Sequence, residues 1–440
     1  MKCEKGVPKR VVIISLDAVG SKDLPFMSSL PNFRKFMNKA AVCANVSSVY
    51  PSVTYPAHTS IITGRMPKNH GVINNTLLQP ERMKPDWMWQ RKYISGTTLY
   101  DEMIKKGWKV ASLLWPVTAK SKIQYNLPEI FANRPWENQI LVSACNGSLR
   151  YQLELNHKFG KLRDGVRQPQ LDNFVQASTL YTIDKYKPDM LLVHFTDVDT
   201  NRHIYGVTHE RVTEALRRHD VRLGKIMQHL EKSGDVKDTT VVVLGDHYQK
   251  NTERVVYINY LLREKGLLQV VDNKIVDYQI IAKNCDGACY LYCNHVLRGN
   301  GILPLEPKVE QKLTEVLHLL ETEEKYGTTH IYSGKEAGLL GADDTCVAML
   351  EAREGCYYLD GFEKLTEMVS DMKEGKMKAT HGFFPNAEGY KTFFMAMGCG
   401  IQEGVQIKRM NLCDIGVTLA ELLKVDLGQV DGKVTEELLK

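Results

Sequence analysis

The chain has 440 residues, 43% of them hydrophobic and 25% charged, a globular composition with enough apolar residues for a large core. Its net charge of +5 is spread over 57 basic and 52 acidic residues, with no long Lys/Arg block and no aromatic-basic stripe, so a nucleic acid polymer is not an expected partner. The N-terminal apolar run at 11–16 is too short for a signal core, no run reaches membrane-spanning length, and ten scattered cysteines read as reduced thiols, so a cytoplasmic protein with no membrane partner is expected.

In chain order, "VVIISL" (11–16) is short, apolar and β-branched, as a strand buried on both faces should be. "SVTYPAH" (52–58) then leads into the helical run "TSIITG", with Thr54 as a cap at the junction and Pro56 in the first turn. "TTLYDEMIKKG" (97–107) starts with a Thr cap and stops at Gly107. "KVASLL" (109–114), "MLLVHF" (190–195) and "TTVVVLG" (239–245) are further strands, and "THERVTEALRRHDVRLGKIMQHLEKSG" (208–234) is a long helix from a Thr cap to Gly234. Strands alternating with amphipathic helices predict an α/β fold with a mostly parallel sheet and helices on both faces. From about Asn251 to Lys376 the texture changes to short mixed segments, the Gly/Pro-rich "RGNGILPLEP" and an acidic helix "KVEQKLTEVLHLLETEEK". A catalytic core at 1–250 and 377–440, interrupted by a smaller cap that governs specificity at 251–376, is therefore expected. Within the cap, Cys285, Cys289 and Cys293 at period four fall on one face of a strand and read as core thiols, not a metal cluster. "CDIGVTLAELLKVDLG" supplies a closing helix.

Ligands of open α/β sheets bind outside the carboxyl ends of the strands. The first strand is followed by Asp17, "MLLVHF" by "TDVDTNRH" with Asp199 and His203, and "TTVVVLG" by Asp246 and His247. Thr54 enters its helix nearby in sequence, and "ATHGFFPN" supplies His381 in a Gly- and Pro-flanked loop. Each feature alone has an ordinary explanation as a cap, a turn residue or a hydrogen-bonded structural histidine. Their joint placement at strand ends does not. Carboxylates mixed with imidazoles suit Zn²⁺ or Mn²⁺, and a set this large can hold two ions about 4 Å apart, a clamp for phosphoryl chemistry. Thr54 fits the nucleophile's place, since coordination to a divalent cation lowers a hydroxyl's pKa, and the helix N-terminus adds about 0.3–1 kcal/mol toward a bound phosphate.

Across nearly its whole length the chain resembles the alkaline phosphatase superfamily, within it the nucleotide pyrophosphatase/phosphodiesterase branch. "VVIISLDAVG" resembles the opening strand with its metal-binding Asp, "YPSVTYPAHTSIITGRMPKNHGVINN" the nucleophile helix and following loop, and "LLWPVT" the W-P-G stretch. "DTNRHIYG" resembles the D-x-x-G-H-x-Y-G segment, "GDHYQK" the S-D-H-G element, "ATHGFFPN" the last metal-binding His, and "CDIGVTLAELLKVDLGQVDGK" the closing helix.

The resemblance implies an alkaline-phosphatase-like sheet sandwiched by helices, with an inserted cap, and two divalent ions, most often Zn²⁺. One ion would be held by Asp199, His203 and His381, with Asp197 a rival to Asp199; the other by Asp17, Asp246 and His247, with Thr54 as bridging nucleophile. Asn75 would stabilise the charged phosphate oxygen together with the Thr54 N–H, and Tyr55 and Tyr205 would contact the substrate, Tyr55 by stacking a nucleobase. Arg202 stands where the family has Gly, and Tyr248 and Gln249 where it has Gly and commonly Met, departures expected to reshape the pocket. No seryl nucleophile with an adjacent arginine clamp is present, which favours diesters over monoesters. The expected activity is hydrolysis of phosphodiester or pyrophosphate bonds in a small phosphorylated substrate through a threonyl-phosphate. Alternatives are a phosphonoacetate-type hydrolase and a metal-stabilised binding protein without turnover.

Overall fold

The computed structural model describes residues 6–82, 84–294, 305–373 and 376–440. The first six strands are β1 (Arg10–Leu16), β2 (Ala41–Ser47), β3 (Val110–Leu113), β4 (Tyr125–Leu127), β5 (Met190–Phe195) and β6 (Thr239–Leu244). Strands β7 (Lys250–Val256), β8 (Ile280–Cys285), β9 (Ala288–Cys293), β10 (Thr328–Ser333) and β11 (Ala348–Ala352) follow, and β12 (Thr392–Gly398) returns to the first group. The main sheet has nine strands, in the order Gln406–Ile407, β2, β12, β6, β1, β5, β3, β4, with Met410–Asn411 also on β2.

Strand β1 lies parallel to both β5 and β6, and β3 parallel to β5 and β4; β12 runs antiparallel between β2 and β6. The sheet is thus mostly parallel, as expected. Its apolar runs are continuous because both faces are covered. In β1, Val11 and Ile13 enter one core and Val12, Ile14 and Leu16 the other, and β5 and β6 alternate in the same way. The sequence reading did not single out β2, β4 and β12. "AVCANVS" has two exposed positions, and "TFFMAMG" gains its strand character from pairing with β6 and β2.

The helices that concern the site are α1 (Thr54–Thr63), α2 (Leu99–Lys105), α3 (Asp197–Tyr205) and α4 (Glu210–Lys232). Helix α2 has the expected Thr98 cap, reciprocated by Asp101. Helix α4 does not start from Thr208: His209 is its N-cap, accepting the Arg211 N–H. The closing helix spans Leu412–Leu423 and packs on α1.

Within 251–376, β8, β9, β11 and β10 form a four-stranded antiparallel sheet, and β7 pairs with Gly355–Tyr358 and Thr366–Met368. The acidic helix forms at Pro307–Thr322, while most of the Gly/Pro-rich stretch before it lies outside the described residues. The three cysteines are buried as expected, but not on one strand. Cys285 ends β8, Cys289 and Cys293 lie on β9, and Asp286 and Gly287 form the two-residue turn between them. The Asp-Gly pair is itself a hairpin signal.

Candidate active site

The candidate residues meet at the carboxyl edge of the parallel strands. Asp17 follows β1 with its N–H on the Phe195 carbonyl, Asp199 lies in the first turn of α3 just beyond β5, and Asp246 and His247 follow β6. His381 sits between Ala379–Thr380, paired to the start of β7, and β12. Two ligand sets result: Asp199, His203 and His381, and Asp17, Asp246 and His247, the candidate ligand atoms of each set lying within 4.8 Å of one another. The sets adjoin through His247 and His381, whose ring centroids are 4.4 Å apart.

Within the second set, His247 Nε2 lies 3.1 Å from Asp246 Oδ2, 3.4 Å from Asp17 Oδ1 and 3.1 Å from Thr54 Oγ1. Thr54 is the first residue of α1, not its cap. Val53 is the N-cap and makes no side-chain cap bond, so the Thr54 hydroxyl is not engaged in capping. The first three N–H groups of a helix have no partner inside it. Here the Tyr55 N–H donates to Asn75 Oδ1 at 2.8 Å, Pro56 has none, and the Thr54 N–H is the donor that remains among the described residues. Asn75 is thereby fixed by its carbonyl oxygen, and its Nδ2 is the end that can serve a ligand.

Burial sets the electrostatics. It pushes Asp17 up to about 7, helped by the Asp199 charge and opposed by the bond from His194, and it pushes Asp246 well above the carboxylate range, with Asp17 adding to the shift. His247 is held well below the usual imidazole value by burial and by His381. Against burial, the His203–Asp199 pair at 3.2 Å keeps Asp199 low and raises His203 to about 9. Asp17 Oδ1 and Asp246 Oδ2 are buried with no hydrogen-bond partner among the described residues. Two carboxylates that resist ionising together, each with an orphaned buried oxygen, are what a divalent cation would relieve. The donor set, oxygen and imidazole without thiolate, fits Zn²⁺ or Mn²⁺.

A surrounding layer, invisible to the sequence reading, fixes these groups. His194, from β5, places Nε2 at 3.0 Å from Asp17 Oδ2 and Nδ1 near the Leu114 carbonyl (3.1 Å) and Glu129 (3.4 Å). His58 donates from Nδ1 to the Thr54 carbonyl, accepts from Ser15 Oγ at Nε2, and lies 3.5 Å from Asp246 Oδ2. His203 turns Nδ1 to the Ala379 carbonyl at 2.8 Å. The one available signal was for His58, four residues after Thr54 and so on the same helix face.

The departures from the family pattern do not open into the pocket. Arg202 is 1% exposed, donates to the Ala18 carbonyl and to Asp23 Oδ1 (2.6 Å), and lies 4.5 Å over the Tyr248 ring. A Cβ on Gly20 would come within 2.3 Å of Tyr248, so that glycine admits the ring. Gln249 Nε2 donates to Asp199 Oδ1 at 2.5 Å. Asp197 is not at the metal sets: Arg218, Arg222 and Asn201 take up its carboxylate. Tyr55 is 0% exposed, edge-on to Trp87 at 5.2 Å, so it offers no open face for a base; the half-buried Trp87 and Phe131, 5.5 Å apart, carry the aromatic surface there. Tyr205 is 38% exposed and stacks on His209 at 4.9 Å.

A model of a family described as Type I phosphodiesterase / nucleotide pyrophosphatase matches residues 11–384. Among curated relatives, bovine (Bos taurus) ectonucleotide pyrophosphatase/phosphodiesterase family member 3 is 24% identical over 254 residues, 55% of this chain and 25% of that protein. Human (Homo sapiens) family member 1 is 22% identical over 276 residues, 59% and 26% of the two chains, and venom phosphodiesterase 2 of Crotalus adamanteus 25% identical over 249 residues, 54% and 26%. The chain thus spans about a quarter of the length of the curated relatives it matches. Among solved structures, murine ectonucleotide pyrophosphatase/phosphodiesterase 5 superposes with a TM-score of 0.68 at 17% identity, covering 98% of this chain and 100% of that one. An inactive threonine-to-alanine variant of the same murine protein, in complex with AMP, gives 0.67 at 16% identity, covering 99% and 100%.

Proposed function

This chain belongs to the type I phosphodiesterase/nucleotide pyrophosphatase family, and from that premise we propose that it is a two-metal hydrolase of phosphodiester or phosphoanhydride bonds that works through a threonyl-phosphate. The observation that carries the reading is the pair of ligand sets meeting beside the Thr54 hydroxyl. Asp199, His203 and His381 would hold one Zn²⁺, and Asp17, Asp246, His247 and Thr54 the other. When bound, the ions supply Lewis acidity that lowers the pKa of a hydroxyl and balances phosphate charge.

Within that frame, the first turn of α1 presents Thr54 Oγ1 to the phosphorus. The Oγ1–P bond forms as the bond to the leaving oxygen breaks in line. Charge developing on the phosphoryl oxygens is met by the Thr54 N–H and by Asn75 Nδ2, both held before the substrate arrives. Water then cleaves the threonyl-phosphate and regenerates the hydroxyl. A small nucleotide is the substrate class we assign, supported by the AMP complex of the murine neighbour and by the half-buried Trp87 and Phe131 beside the nucleophile helix. No described helix is long and apolar enough to cross a membrane, and nine described cysteines are free thiols. The thiols support our placing the chain in a reducing compartment such as the cytoplasm.

The test is Thr54→Ala assayed on p-nitrophenyl thymidine monophosphate. Loss of about 10³-fold or more in kcat, with zinc content retained, is expected for removal of a nucleophile, and near-normal turnover refutes the scheme. Parallel assays of the unaltered chain on p-nitrophenyl phosphate and phosphonoacetate identify a monoesterase or a C–P hydrolase instead. No turnover on any of the three points to a metal-stabilised binding protein.

A further inference from the structure

The turn between β8 and β9 reaches from the inserted region onto the last candidate ligand. Asp286 Oδ2 lies 3.2 Å from His381 Nδ1. The backbones interlock as well: the Gly287 N–H donates to the His381 carbonyl at 2.8 Å, and a Cβ on Gly382 would come within 1.9 Å of the Cys285 carbonyl. The turn is pinned on its other side by the Tyr358 N–H on the Asp286 carbonyl and the Ala352 N–H on the Gly287 carbonyl.

The conformation of the turn is telling. Asp286 carries the left-handed φ of +59°, although glycine stands next to it. Glycine adopts that conformation freely, whereas aspartate only tolerates it, so backbone geometry alone would favour glycine at 286. The side chain faces the site, beside His381. Histidines that bind a metal through one nitrogen hand the other N–H to a carboxylate or carbonyl, which fixes the tautomer and the ring. His203 has such a partner in the Ala379 carbonyl. His381 Nδ1 has no aligned partner, and Asp286 is the carboxylate beside it.

We propose that Asp286 is a positioning residue for the metal set of Asp199, His203 and His381: its carboxylate accepts the His381 Nδ1–H, leaves Nε2 for the cation, and ties the inserted region to that one ion. The proposal rests on the two-metal reading above, and the experiment separates the two. The purified full chain is stripped of metal and titrated with Zn²⁺ against a chromophoric chelator, and with Co²⁺ followed by its visible spectrum, for the unaltered protein and for Asp286→Gly and Asp286→Asn.

The unaltered chain should take up two equivalents. In Asp286→Gly one equivalent weakens about 10- to 100-fold and its Co²⁺ bands shift, while the other equivalent is unchanged. Metal-free Asp286→Gly unfolds at the same or a higher temperature than the parent, because glycine relaxes the turn. That combination of a firmer fold and weaker metal binding is one a merely structural Asp286 cannot produce. Asp286→Asn, which keeps an acceptor without the charge, falls between the two. If the unaltered protein binds two equivalents and both variants bind them equally well, the proposal is overturned and the two-metal reading stands. If the unaltered protein binds neither, both are overturned.

Discussion

Replacing Arg202 by the glycine usual in the family should unfold much of what surrounds Asp17. In the native protein the guanidinium is enclosed by Asp23, the Ala18 carbonyl and the Tyr248 ring. Deleting one member of a buried ion pair costs about 3–5 kcal/mol, because the other is left buried and unpaired. Asp23 keeps the Gly20 N–H at 2.8 Å on its second oxygen, which favours the lower end of that range. A glycine inside α3 adds about 1 kcal/mol, so Arg202→Gly should cost about 4 kcal/mol in all, read as the loss of unfolding free energy in urea for the metal-free protein. The guanidinium over Tyr248 is a desolvated cation–π contact worth about 2 kcal/mol. The double variant Arg202→Gly/Tyr248→Gly should therefore cost about 1–2 kcal/mol less than the two single changes added together. Because Ala18 follows Asp17 and its N–H donates to Asp246 Oδ1, zinc affinity should fall with stability in the single variant. A cost below about 1 kcal/mol for Arg202→Gly, or strict additivity in the cycle, would refute the view that the two departures compensate each other.

Asn75→Asp keeps the acceptor for the Tyr55 N–H but loses the Nδ2 donor, so we expect kcat to fall about 10²- to 10³-fold with the unfolding temperature nearly unchanged; a loss confined to KM would contradict the assigned role. Glu351, which accepts from the Tyr50 hydroxyl and the Phe384 N–H, is pushed up to about 7 by burial from its ordinary 4.5. A folded value above the unfolded one gives stability that is complete below pH 4.5 and lost as pH rises through 7, about 3 kcal/mol at most. Glu351→Gln should flatten that slope when unfolding is measured from pH 4 to 8, and an unchanged slope would contradict it.

Strands β1, β3, β5 and β6 of the parallel sheet and their end residues could be read from the sequence because local chemistry specifies them. Apolar β-branched runs such as "VVIISL" admit little else, and a polar residue directly after such a run must lie at the sheet's edge. Strand β12 was missed because its antiparallel pairing is decided by β2 and β6, more than a hundred residues away. The three cysteines were placed on one strand because the Asp-Gly turn within "CDGACYLYC" was passed over in favour of a period. Thr54 was read as a cap because Thr commonly caps; the chain instead gives that place to Val53 and satisfies the first turn from Asn75.

By itself, then, the sequence determined the four central parallel strands β1, β3, β5 and β6, the order of the ligand-bearing segments and the identity of the seven residues proposed to hold metal, since each follows from the chemistry of a few adjacent residues. Only the tertiary structure decided which groups support them. His194, Gln249 and Asp286 act across distances in sequence that no local pattern encodes, His58 adds a distant partner in Ser15 to its local bond with Thr54, and Tyr55 is buried edge-on to Trp87. Arg202 and Tyr248, which in the sequence are two separate departures 46 positions apart, become one buried contact when α3 packs beside the end of β6, because a guanidinium taken out of water needs an anion and an aromatic face at once.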